Sequence, residues 1–427
     1  MAASKRRRRL LFLAPVVPAD RDNGLAMRIG FFLQAYTREF DVDLAVFPIL
    51  SAPANSYDFA RRRVERMAIF PRPAVDSHFV LVAAVKDPTA QLEAFRRFGR
   101  PSLASFADAT VRRPLADWVN GEQYDVVHVS RLYLARVAEP WTMAMAPRRP
   151  SLVLDCDEDD AIAYRRMAAM ERSRRRHDRA AWAEAEADAF ANLAREVLPR
   201  FDLAFAASAQ DAKSLSPWAG RIEVVPNVAS PGIGQGQRKQ QSTRKSVLFV
   251  GSMGYAPNDD AARWMVTCVW PRLRRAVNLP LRLLIVGSNP SASLIRLGRR
   301  QNVTVTGTVP DIRKYYRKAD LAVVPIRAGG GTRIKLLEAA AWGIPIVSTT
   351  LGADGTTFRH GRELLLADGG EQFAHSCAAL LRHQAYARTL AARARRRIML
   401  EYNAEWWALR VVQLVAALII GDRDCRE

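Results

Sequence analysis

The feature that most constrains this chain is a regular alternation, over residues 247–348, of short apolar runs with helical patterns. The runs are 247–250, 281–286, 303–305, 321–325 and 344–348; helical stretches open at Asp259, Ile312 and about Thr332, with a short one after 286. Runs that are apolar throughout, rather than at every second residue, are buried on both faces. A parallel sheet covered by helices on each side provides that environment. The second half is therefore expected to be a doubly wound α/β domain, with its ligand beyond the carboxyl ends of the strands.

The first half repeats the theme less regularly, with strand candidates at 10–13, 42–46, 126–129, 152–154, 203–206 and 224–225. Residues 57–119 resist assignment. Residues 161–197, rich in Arg, Ala and Glu, read as one amphipathic helix with Met167, Met170, Trp182 and Phe190 on its buried side. Residues 230–245 are polar, Gly-rich and charged, which marks a linker. A chain of 427 residues suits two domains. The boundaries read as 1–229 for a Rossmann-like first domain, 230–245 for the linker and 246–402 for a Rossmann-like second domain. A final helix occupies 403–427.

Other classes fit less well. No apolar run reaches the roughly 18–20 residues needed to span a bilayer. The basic residues 5–9 followed by apolar 10–17 imitate a signal peptide, but Pro15 and the polar residues 20–24 favour a buried strand feeding a glycine turn. Four scattered cysteines fit a reducing compartment and no zinc site. The formal charge of +21 attracts polyanions and anionic membranes alike. It is spread along the chain without any nucleic-acid-binding motif, so no specific nucleic acid is expected as a partner.

The chemistry concentrates at 323–347. A strand ends near Ile326, Gly329, Gly330 and Gly331 form a loop, Thr332 is a suitable N-cap, and a helix follows. Such helix starts bind phosphate, because backbone N–H groups and the helix dipole point at it. Arg333 and Lys335 occupy the first turn, where cations are unfavourable by roughly 0.3–1 kcal/mol each unless an anion binds there. Lys335 and Glu338 share a face. A diphosphate at the helix tip would meet Lys335, and a ribose one turn on would meet Glu338. A glycine turn beside a solvated basic face is the alternative.

Residues 329–347, together with 251–261 and 305–311, resemble the retaining glycosyltransferases of family 4, most closely the branch found in exopolysaccharide gene clusters. In the first half, 18–28 around Gly24, 124–128, Ser208 and Pro226-Asn227 resemble it more weakly. The resemblance implies the GT-B fold: two Rossmann-like domains facing across a cleft, with the donor held mainly by the second and the final helix crossing back to the first. It implies a UDP- or GDP-sugar donor and a saccharide or lipid-linked saccharide acceptor. It also implies a cytoplasmic location, peripheral on the inner membrane, and no cofactor or metal.

By position, Glu338 matches the second Glu of the family's E-x7-E motif, which binds donor ribose. The first Glu is replaced by Gly330, so the usual contact to the transferred sugar is missing. The usual Arg and Lys after the first strand of the second domain are missing too. Gly251, Ser252, Met253 and Asn258 stand there, leaving Arg333 and Lys335 as the diphosphate cations. Val309 and Pro310 would lie beside the nucleobase. The acidic run 155–160, with Asp157 and Glu158, leaves three readings open: a sugar or acceptor contact, a cap on the following helix, or a metal site. His128 reads equally as a substrate contact or a buried strand histidine. A nucleotide-sugar epimerase and a degenerate, non-catalytic nucleotide-sugar binder are the rival functions.

Overall fold

The structure is a computed structural model. The residues described are 7–21, 23–49, 56–71, 81–82, 84–107, 109–143, 149–229, 244–330 and 334–424, and every count below refers to them. The chain divides into two units, Met1–Pro226 with Glu405–Glu427, and Asn227–Ala404. Residues 230–243 of the expected linker lie outside the described residues.

The first unit holds a seven-stranded sheet in the order β3-β2-β1-β4-β5-β6-β7. Its strands are β1 (Arg8–Ala14), β2 (Phe40–Val46), β3 (Arg66–Ile69), β4 (Val126–Ser130), β5 (Ser151–Asp157), β6 (Leu203–Ala206) and β7 (Ile222–Val224). The second unit has six strands in the order β10-β9-β8-β11-β12-β13. They are β8 (Lys245–Val250), β9 (Leu281–Val286), β10 (Val303–Val305), β11 (Leu321–Val324), β12 (Ile346–Ser348) and β13 (Leu365–Leu366). All pairings are parallel. Each sheet therefore runs outward in both directions from its first strand. That is the Rossmann order, with its switch point between β1 and β4 in one unit and between β8 and β11 in the other.

The apolar runs that suggested these strands are the sheet cores. Leu10 to Ala14 are fully buried, as are Val247, Phe249, Ile285, Leu321 and Val347. Residues 57–119 contain the edge strand β3 and the helices Pro88–Phe98 and Ala109–Trp118.

Two expectations change. The stretch 161–197 is two helices packed on each other, Asp160–Ser173 and His177–Val197. Arg175 between them has φ +59, a left-handed conformation that no continuous helix accommodates. Of its expected buried residues, Met170 and Phe190 are buried, whereas Met167 and Trp182 are half-buried. The run at 312–318 yields only the single turn Arg313–Tyr316. The last helix, Ala404–Asp424, belongs from Glu405 to the first unit, where Glu405 accepts from both Nη atoms of Arg38 at 2.6 and 2.8 Å.

Candidate functional site

In the second unit the crevice at the switch point is flanked by the loop after β8 and the loop after β11. The β8 loop is packed to the limit. A Cβ on Gly287, which follows β9 with φ +151, would lie 1.8 Å from the Gly251 carbonyl oxygen. A Cβ on Gly251 would lie 3.0 Å from the Asn258 amide. Only glycines let these backbones and the Asn258 side chain meet. Asn258 is buried and donates through Nδ2 to the Ser252 carbonyl at 2.8 Å. Its Oδ1 accepts from Lys335 Nζ at 2.7 Å.

Lys335 comes from the other arm, in the helix Ile334–Ala341 that follows the glycine loop. The Asn258 amide and the Phe249 ring, 5.5 Å from Nζ, hold its ammonium at the crevice. Gly329 adopts φ +92 and, like Gly330, is buried. Gly331, Thr332 and Arg333 lie outside the described residues.

Glu338 follows one turn after Lys335 and is 4% exposed. The Tyr316 hydroxyl donates to its Oε2 at 2.8 Å. Burial pushes its carboxyl up to about 7, against the opposing effects of that hydrogen bond and of Lys335. A ligand hydroxyl donating to Glu338 would favour its charged form. Val309 and Pro310 follow β10; Val309 is half-buried against the core and Pro310 is exposed.

Tyr316 and Arg327 escaped the sequence reading. Arg327, in the loop after β11, makes a two-pronged pair with buried Asp260, Nε–Oδ2 3.1 Å and Nη2–Oδ1 2.7 Å. Neighbouring Asp259, in the first turn of the helix Ala256–Trp264, instead pairs with Arg263, four residues on.

In the first unit, Asn23 rather than Gly24 makes the turn before the helix Gly24–Tyr36, its side chain capping Ala26 N at 3.0 Å. The decisive glycine is Gly30, where a Cβ would lie 2.2 Å from the Ala19 carbonyl oxygen.

The acidic run is committed to two arginines. Buried Arg28 forks onto Asp155 (Nε–Oδ2 2.8 Å, Nη2–Oδ1 2.6 Å) and donates to the Val225 carbonyl at 2.9 Å. Arg131 reaches Asp157 at 3.0 Å, Glu158 at 3.2 Å and Asp160 at 2.7 Å. Asp159 caps the following helix through Ile162 N. Burial raises Asp160, with Arg131 opposing. Arg131 and Asp157 have φ +77 and +63, unusual for side chains other than glycine. Both lie at the carboxyl ends of strands, where the fold places ligands. The helix-cap reading thus holds for Asp159, while Asp157 and Glu158 remain partly exposed at 15% and 16%.

Of its two readings, His128 takes the buried strand histidine and not the substrate contact. It is fully buried among Phe12, Phe32 and Phe205, with the Tyr36 hydroxyl 2.7 Å from Nδ1. Burial, then Arg28, lowers its pKa to about 3, which keeps the ring neutral in the core.

Fold and crevice together define a class. The chain has the GT-B architecture: over 97% of its length it matches sucrose-phosphate synthase from Thermosynechococcus elongatus, covering all of that chain at 17% identity with a TM-score of 0.66. It also matches the Anabaena protein Alr3699/HepE, solved in complex with UDP and glucose, over 96% of this chain and 100% of that one, at 15% identity and TM-score 0.61. More particularly, residues 244–383 match the model of the family Glycosyl transferases group 1, and this stretch is a domain of that kind. It contains Gly251, Asn258, Lys335 and Glu338. Among curated relatives, an uncharacterized 44.6 kDa protein in the cps region of Klebsiella pneumoniae is 26% identical over 137 residues, 30% of this chain and 35% of that one. D-inositol 3-phosphate glycosyltransferase of Nocardia farcinica is 29% identical over 213 residues, 44% of this chain and 47% of that protein. The chain thus spans between a third and a half of the length of these two relatives.

Proposed function

We propose that the chain is a retaining, nucleotide-sugar-dependent glycosyltransferase of family 4 that extends a cell-surface polysaccharide or a lipid-linked saccharide. The observation that carries this reading is the pairing, on one helix, of an ammonium held at the crevice with a buried carboxylate one turn further on. Lys335 takes the donor diphosphate and Glu338 the ribose hydroxyls. As the bond to the transferred sugar breaks, negative charge grows on the diphosphate. A fixed cation and a helix start then stabilise it where it develops. Acceptor attack on the face the diphosphate leaves gives retention. The Nocardia relative's name supports glycosyl transfer, and the UDP and glucose bound to the Anabaena protein support a nucleotide-sugar donor; the setting of the Klebsiella relative in a cps region supports a cell-surface polysaccharide product. Asp157 and Glu158 are assigned to the acceptor side. No metal is invoked, because the carboxylates at 155–160 already serve arginines and a helix cap; turnover is expected to survive excess EDTA.

The test is a panel of UDP- and GDP-sugars with saccharide acceptors, read by the anomeric signals of the product. A new α-linkage from an α-donor supports the proposal. Conversion of donor without acceptor would identify an epimerase. Gly330, in place of the usual first Glu, favours one further reading, a binder without turnover, which would show diphosphate binding and no product with any donor.

A further inference from the structure

The segment 327–335 carries the glycine run, and both of its ends are tied to one helix, Ala256–Trp264. Lys335, at the far end, donates to Asn258 at 2.7 Å. At the near end, Arg327 forks onto Asp260, two residues further along that helix, at 2.7 and 3.1 Å. Asp260 is 1% exposed and Arg327 38%. The Arg327 guanidinium also lies 5.1 Å from the Trp264 ring, which meets Phe373 edge-on at 5.3 Å. The fork and the ring fix the guanidinium in direction as well as position. The helix follows β8 and the segment follows β11, so the two ties join the arms on either side of the switch point.

We propose that Asp260 and Arg327 are positioning residues for the donor site, a latch that fixes the helix Ala256–Trp264 against the end of β11 and so sets where its Asn258 holds the Lys335 ammonium. Neither residue touches the donor; they act through that helix and Asn258. The inference rests on the donor-site reading above. Its particular content is that a pair remote from the ligand controls phosphate affinity.

Calorimetry on the full chain tests it, with UDP and GDP and with uridine and guanosine as ligands lacking phosphates. The variants are Asp260→Asn, Arg327→Lys and the double Asp260→Asn/Arg327→Gln, in which neither charge is left stranded. Each single change is expected to weaken diphosphate binding roughly tenfold. The double variant should lose little more than either, because contacting residues are non-additive, and nucleoside binding should hardly change. Unchanged diphosphate affinity in the folded variants, or nucleoside losses as large as the diphosphate losses, overturns the latch while leaving the donor site in place. A wild type that binds neither diphosphate overturns both. Should Asp260→Asn not fold, hydrogen exchange of the amides of the helix Ala256–Trp264 in Arg327→Lys carries the test. Faster exchange confined to that helix is expected, and exchange equal to wild type contradicts the latch.

Discussion

Glu338 is a carboxylate that the fold keeps close to its titration point at neutral pH, because it is buried with one tyrosine hydroxyl for company. Its pKa of about 7 lies above the ordinary 4.5. The folded chain therefore holds a proton that the unfolded chain releases between those values. Stability falls as pH rises from about 4.5 to about 7 and levels off above, by about 3 kcal/mol at most. Glu338→Gln, which cannot ionise, should be no more stable than wild type at pH 4 and more stable at pH 8. Thermal melts at the two pH values read this, and an equal difference at both would contradict the assignment. Lys335 makes the complementary prediction. A charge-assisted contact to phosphate contributes roughly 1.5–3 kcal/mol, so Lys335→Ala should weaken nucleoside-diphosphate binding about 10- to 150-fold. Binding of the bare nucleoside should change much less. Equal losses for the two ligands would mean that Lys335 supports its helix and does not contact phosphate.

At the scale of elements, the central strands were legible because buried parallel strands are apolar on both faces. The runs at 281–286 and 303–305 coincide with β9 and β10. The misses have physical causes. β3 is an edge strand that begins with Arg66 and is nowhere fully buried, and β13 is two residues long, so neither carries a continuous apolar run. The break at Arg175 is a backbone conformation that the arginine-rich sequence does not announce. The site was half legible. Lys335 and Glu338 are three apart on one helix, and that periodicity shows. Tyr316, Asp260 and the Arg28–Asp155 pair meet partners 22 to 127 residues away, which no local pattern reveals. Gly287 belongs with these, since its contact with Gly251 comes from neighbouring strands. Gly287→Ala would drive a methyl into the Gly251 carbonyl at 1.8 Å. The β8 loop should shift with Asn258, and both the melting temperature and diphosphate affinity should fall. Wild-type values for both in the purified variant would show that the loop tolerates displacement.

For the whole molecule, the charge of +21 attracts anionic surfaces, and residues 5–9 and the stretch 165–179 are among its basic clusters. Residues 5–6 lie outside the described residues. In the second segment Arg165, Arg172, Arg174 and Arg176 pair with Asp188, Glu184 and Glu171 of the same two packed helices. Among the described residues no helix is long and apolar enough to cross a membrane. An attraction to anionic lipid would then fall to the remaining, dispersed basic residues. Sedimentation with anionic vesicles should be weak and should vanish as salt screens the surface. Tight binding to neutral vesicles would require an apolar anchor instead.

The central claim is that the crevice between β8 and β11 holds a nucleoside diphosphate through Lys335 and Glu338. The most direct measurement is titration of UDP, GDP and ADP into the full chain, and into a Glu338→Ala variant whose circular dichroism and melt show it folded. The account predicts saturable, one-to-one binding of UDP or GDP to the wild type and its loss, or weakening by at least about tenfold, in the variant. No binding of any diphosphate to wild type, or equal affinity in the folded variant, would contradict it.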